Sequence, residues 1–222
     1  MTKKTLSIFA ALDRSGSMSG EKWTNAIASF NDYVKGLQDE KIEGEITLVA
    51  FDSINVPNAV NAQGQTFQSY KSNEKIRLEN IVTAQSIAYF TPIDSNVLSP
   101  SGMTPLYDAA AHVMDLALAN NADRTVVVIM TDGMENTSKE YTAATIKNKV
   151  KILTLLKWEV IFLGANFDVA QYTASAGLEM TKMRNFDLND LNQRKGMTAS
   201  FVMNSSTYAT TGAAMDMTLD AK

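Results

Sequence analysis

Leu6-Ser7-Ile8-Phe9-Ala10-Ala11-Leu12-Asp13-Arg14-Ser15-Gly16-Ser17 is the stretch whose reading decides the fold. Its first seven residues form a nearly continuous apolar run of strand length, as expected of a strand buried on both faces. The run ends at once in a polar, Gly-containing turn. From Lys22 to Leu37, Trp23, Ala26, Ile27, Phe30, Val34 and Leu37 then recur at helical spacing, which gives an amphipathic helix. Strand, turn and helix follow in order, the opening of an α/β domain.

Working outward, Ile46–Phe51 reads as a second strand, and Asp52-Ser53 turns it into Ile54–Val60. Pro57 lacks a backbone donor, so this arm is expected at a sheet edge. Residues 62–103 have the weakest pattern, with a helix expected around Glu74–Ala84 and turns at Ser99-Pro100-Ser101-Gly102. Thr104 as N-cap and Pro105 as first helical residue announce the next helix, marked by Leu106, Ala109, Ala110, Val113, Leu116 and Ala117. Thr125–Met130 is the strongest buried-strand run and ends at Thr131-Asp132-Gly133. Tyr141–Leu156 reads as a helix, Trp158–Gly164 as a strand, and Val169–Ala176 and Asp187–Met203 as helices. Alternation at this spacing predicts a mainly parallel sheet covered by helices on both faces. Ligands of such sheets bind in the loops beyond the carboxyl ends of the strands.

Composition narrows the classes of function. The 222 residues carry a net charge of −4, so no overall positive field gathers nucleic acid or an anionic membrane. The absence of cysteine excludes disulfides, thiolate zinc sites and cysteine nucleophiles, and fits a reducing compartment. Lys3-Lys4 before Leu6–Leu12 imitates a signal peptide, yet Asp13-Arg14 ends the run without a small-residue cleavage pattern. His112 is the only histidine and reads as a boundary residue of its helix, so no catalytic triad is expected. Gly16-Ser17-Met18-Ser19-Gly20 imitates a nucleophile elbow but centres on Met18. The lysines at 147, 149, 151 and 157 read as a solvated helix face, and Met197 and Met203 as core fillers. A single domain over residues 1–204 is expected, with 62–103 as a long, inserted connection and 205–222 as a flexible tail.

Three post-strand loops carry short oxygen-bearing side chains: Asp13-Arg14-Ser15-Gly16-Ser17, Gly102-Met103-Thr104-Pro105 and Thr131-Asp132-Gly133. Hydroxyls and carboxylates without histidine or thiol are hard ligands, suited to Mg²⁺, Mn²⁺ or Ca²⁺. The alternation Asp13-x-Ser15-x-Ser17 lets an extended loop turn all three side chains to one side. Two carboxylates nearly balance a divalent charge, and an outside carboxylate could fill the remaining position.

This pattern resembles the metal-ion-dependent adhesion site of von Willebrand factor type A domains. Asp13, Ser15 and Ser17 match its Asp-x-Ser-x-Ser loop, Thr104 its threonine, and Asp132 the aspartate after its fourth strand. The resemblance implies a three-layer, Rossmann-like α/β/α fold with a six-stranded sheet ordered 3-2-1-4-5-6 and strand 3 antiparallel at the edge. It also implies that the two serines and the threonine approach the metal directly, and the aspartates directly or through water. More narrowly, Leu12–Met18, Thr131–Asn136, Ser138–Thr142 and Trp158–Asn166 look like small stand-alone bacterial and phage members.

The function expected from these residues is non-enzymatic: capture of an acidic Asp or Glu group of a protein partner through the metal, in the cytoplasm of a bacterium or phage-infected bacterium. Nucleic acid and membrane are not expected as partners; a homo-oligomer is an open possibility. Two other classes compete with this reading. One is a structural or assembly protein of phage origin. The other is a phosphatase-like enzyme with Asp13 as nucleophile, although Ser15 stands where a second aspartate would favour it.

Overall fold

The computed structural model describes residues 5–55, 74–120, 122–166, 168, 177 and 179–218. Strand β1 (Leu6–Asp13) is buried along its whole length. Its side chains alternate between two cores: Leu6, Ile8, Ala10 and Leu12 enter one, Phe9 and Ala11 the other. The same division holds in β4 (Arg124–Thr131), where Val126, Val128 and Met130 face the first core and Val127 and Ile129 the second. That two-sided burial is why both strands read as continuous apolar runs.

Parallel to these run β2 (Gly44–Asn55), β5 (Glu159–Ala165) and β6 (Met183–Phe186). With β3 (Glu74–Ser86) antiparallel on β2, the sheet order is β3-β2-β1-β4-β5-β6. Helices α1 (Glu21–Asp39) and α4 (Leu191–Thr211) close the first core with Trp23, Ile27, Met197, Phe201 and Tyr208. Helices α2 (Leu106–Asn120) and α3 (Ala143–Leu155) close the second with Leu106, Val113, Ile146 and Leu153. This is the three-layer α/β/α arrangement, with strand 3 antiparallel at the edge.

Several local expectations need correction. Glu74–Ala84 is not a helix but most of edge strand β3. Its register against β2 shifts twice, between the pairs Ile46/Leu48 and Leu48/Val49, and Ala84 adopts a positive φ of 44°. Such irregularities break the period-two alternation that marks a strand in sequence. The antiparallel edge therefore lies at 74–86, whereas Pro57 and most of the expected Ile54–Val60 arm fall outside the described residues, as does the helix expected at Val169–Ala176. Residues 74–103 supply that strand and two short 3₁₀ turns, Ile87–Tyr89 and Ser95–Val97.

The C-terminal segment also differs. Helix α4 runs past residue 204 to Thr211 and stops at Gly212, whose left-handed φ of 79° forms the C-cap. Tyr208 is buried there and its hydroxyl donates to Lys157 O at 2.8 Å, while Met215 and Met217 are buried in the first core. Residues 205–218 thus pack on the domain; their Ser- and Thr-rich composition hides the few apolar anchors that hold them. Met197 fills the first core as expected, and Met203 is half-buried.

Candidate metal centre

The first loop leaves β1 at Asp13 and turns through a 3₁₀ segment, Gly16–Met18, into α1. Asp13 is fully buried; one carboxylate oxygen accepts from Ser15 N at 2.7 Å and the other from Thr131 Oγ1 at 2.7 Å. Burial pushes its carboxyl up to about 6, against the hydrogen bonds from Thr131 and Ser15, which lower it. Ser15 Oγ and Ser17 Oγ lie 3.0 Å apart, and Ser17 Oγ donates to Asp132 Oδ1 at 2.5 Å. A continuous chain of contacts therefore links Asp13, Ser15, Ser17 and Asp132 across the ends of β1 and β4. Asp132 Oδ2 accepts from Lys22 Nζ at 2.7 Å.

Thr104 lies in the loop before α2. It is buried, and its hydroxyl lies 3.7 Å from where a Cβ on Gly133 would stand, beside Asp132. The expectation that Thr104 caps α2 is corrected: the helix begins at Leu106, and its backbone donors Tyr107 N and Asp108 N go to Ser138 Oγ, with Glu135 Oε2 also accepting from Tyr107 N. Thr104 is held instead by Asn136, whose Oδ1 accepts from Thr104 N at 2.9 Å and whose N donates to Thr104 O at 3.2 Å.

Sequence reasoning missed what fixes these loops. Arg14 is buried and its guanidinium donates to both oxygens of Asp52, each at 3.2 Å, and to Glu79 Oε2 at 2.9 Å. Arg77 grips the same Asp52 and also donates to Ser101 Oγ at 2.7 Å. Ser101 N donates to Arg14 O at 2.9 Å, and Gly16 N to Gly102 O at 3.0 Å. This paired network, two cations with two anions, ties the first loop to the Thr104 loop. The only hint of it in sequence was Arg14 inside a loop otherwise made of ligand-like oxygens.

The third loop is organised by two carboxylates. Glu135 accepts from Thr137 N, Ser138 N and Ser138 Oγ as well as Tyr107 N, so its oxygens face the loop backbone rather than the aspartates. Asp108, buried on α2, accepts from Lys139, Glu140 and Tyr141 N. His112 is half-buried on α2, where burial lowers its pKa.

Among the described residues no three His, Cys, Asp or Glu side chains cluster, so an ion here would lean on hydroxyls as much as on carboxylates. The donor set fits a hard divalent cation: two carboxylates and two hydroxyls lie along one contact path, the Thr104 hydroxyl lies beside Gly133, and Lys22 already places a cation against Asp132.

Sheet order, antiparallel edge strand and two-sided helix cover give this chain the fold of von Willebrand factor type A domains. No family model and no curated protein matches it. Solved structures share its fold. The pilus adhesin SpaC from Lactobacillus rhamnosus GG, in its open conformation, aligns with a TM-score of 0.63 at 12% identity, over 94% of this chain and 30% of that one. The vWF domain of the type V pili tip protein Mfa5 from Porphyromonas gingivalis gives 0.59 at 11% identity, over 93% and 96%. Manganese-loaded TRAP protein from Plasmodium vivax gives 0.52 at 14% identity, over 85% and 71%. The chain thus spans less than a third of SpaC but nearly the whole Mfa5 domain. No helix among the described residues is long and apolar enough to cross a membrane.

Proposed function

We propose that the chain is a protein-binding module whose site holds one divalent cation, Mg²⁺ or alternatively Mn²⁺ or Ca²⁺, with Asp13, Ser15, Ser17, Thr104 and Asp132. The bound ion would supply a Lewis-acidic position open to a carboxylate of a partner protein. Ser15, Ser17 and Thr104 serve as neutral ligands, and Asp13 and Asp132 as the charge that holds the ion. The Arg14–Asp52–Arg77 network keeps the first two loops in register, and Glu135 and Asp108 set the third.

The observation that carries this reading is the unbroken contact path from Asp13 through Ser15 and Ser17 to Asp132, drawn from two separate loops. Two of the similar structures are named as pilus proteins and one as manganese-loaded, which supports a binding role and a divalent ion. A nucleophilic, phosphatase-like use of Asp13 fits poorly: its carboxylate is buried and both oxygens already accept hydrogen bonds.

The test is retention of a library of Asp- and Glu-containing peptides on immobilised protein. Retention is expected in Mg²⁺ and expected to disappear in excess chelator and with Asp132→Ala. Retention of the same peptides in chelator would remove the ion from the function.

A further inference from the structure

All four carboxylate oxygens of the two aspartates already hold a protein donor. Asp13 accepts from Ser15 N and Thr131 Oγ1, and Asp132 from Ser17 Oγ and Lys22 Nζ. Of these donors only the ammonium carries a charge. Lys22 stands in the first turn of α1, where the helix dipole disfavours a cation. Its partner offsets that: the Asp132 side chain is buried, and an uncompensated buried carboxylate is strongly destabilising. Arg14, the cation of the first loop, is committed to Asp52 and Glu79.

We infer that Lys22 is a built-in counter-cation of the site: its ammonium neutralises Asp132 while no divalent ion is bound, and an ion engages Asp132 only by displacing it. The inference rests on the metal-binding reading above. Two cations at contact distance from one buried carboxylate repel each other, so occupancy by one opposes the other. Lys22 is 28% exposed, and its flexible stem lets the ammonium swing to water without disturbing the buried Trp23 that anchors the same turn. The lysine therefore keeps the metal-free loops in place and raises the ion concentration needed to load them.

The experiment titrates Mn²⁺ alone into wild type, Lys22→Met, Lys22→Arg and Asp132→Ala, read by calorimetry, with melting curves in chelator alongside. Lys22→Met keeps most of the stem and removes the charge; it is expected to bind Mn²⁺ about tenfold tighter, roughly 1.4 kcal/mol. It is also expected to melt lower than wild type in chelator, because Asp132 is left unpaired. Lys22→Arg should restore wild-type behaviour in both readouts. The tightening should shrink at high salt, since the ammonium is partly exposed. Equal or weaker Mn²⁺ binding by Lys22→Met would overturn the counter-cation role while leaving the metal site standing. Absence of Mn²⁺ binding in wild type and Lys22→Met alike would overturn the metal reading itself, and this inference with it.

Discussion

Asp13 shows how one residue couples burial to chemistry. Unfolded, its carboxyl releases a proton near 3.8; folded and metal-free, it holds that proton up to about 6. Between these values the unfolded chain binds fewer protons than the folded one, so stability falls as pH rises. The stabilising contribution is full below about pH 4 and gone above about 6, a gap of two units or about 3 kcal/mol. Urea unfolding in chelator should therefore show wild type losing up to about 3 kcal/mol relative to Asp13→Asn between pH 4 and 7. Parallel pH profiles would mean that burial does not hold the proton on Asp13. A bound divalent ion would relieve this cost, because the carboxylate would then be ionised beside a positive charge.

Among the elements, the loop at Ser101–Thr104 depends on a close backbone approach. Gly102 has a φ of 70°, and a Cβ there would stand 1.4 Å from Ser53 O. Ser53 and Met103 exchange backbone hydrogen bonds of 3.0 and 3.3 Å across this contact. Gly102→Ala must push the loop off β2 and with it move Thr104. A loss of at least about 2 kcal/mol in thermal or urea stability is expected, together with weaker Mn²⁺ binding. Unchanged stability would show that the loop is not held there.

How much of this was legible in sequence follows from the physics of each element. Strands β1, β4 and β5 announced themselves because burial on both faces demands continuous apolar residues, and the loops that end β1 and β4 carried Asp13, Ser15, Ser17 and Asp132 in plain view. Edge strand β3 was misread as a helix because its irregular register and half-solvated face leave no clean alternation. The capping by Ser138 and Glu135 and the partners of Arg14 in the Arg14–Asp52–Arg77 network could not be read because they join residues distant in sequence. Arg14 and Glu79, for example, lie 65 positions apart. Lys22 opens an amphipathic helix, and only its position in the first turn, against the helix dipole, sets it apart in sequence.

At the scale of the whole molecule, two apolar cores hold a rigid sheet whose carboxyl edge presents three loops to solvent. The helices lock the sheet from both faces, and α4 with Met215 and Met217 completes the first core. Asp13 at the end of β1 and Asp132 directly after β4 keep their spacing because the strands cannot shift without opening both cores. The central claim is that the loop oxygens surround one cation. A crystal soaked in Mn²⁺ and measured at the manganese absorption edge tests it most directly. The account predicts a single anomalous peak among the side-chain oxygens of Asp13, Ser15, Ser17, Thr104 and Asp132, with Lys22 turned away from Asp132. A map without that peak, or with manganese bound only elsewhere on the surface, would contradict it.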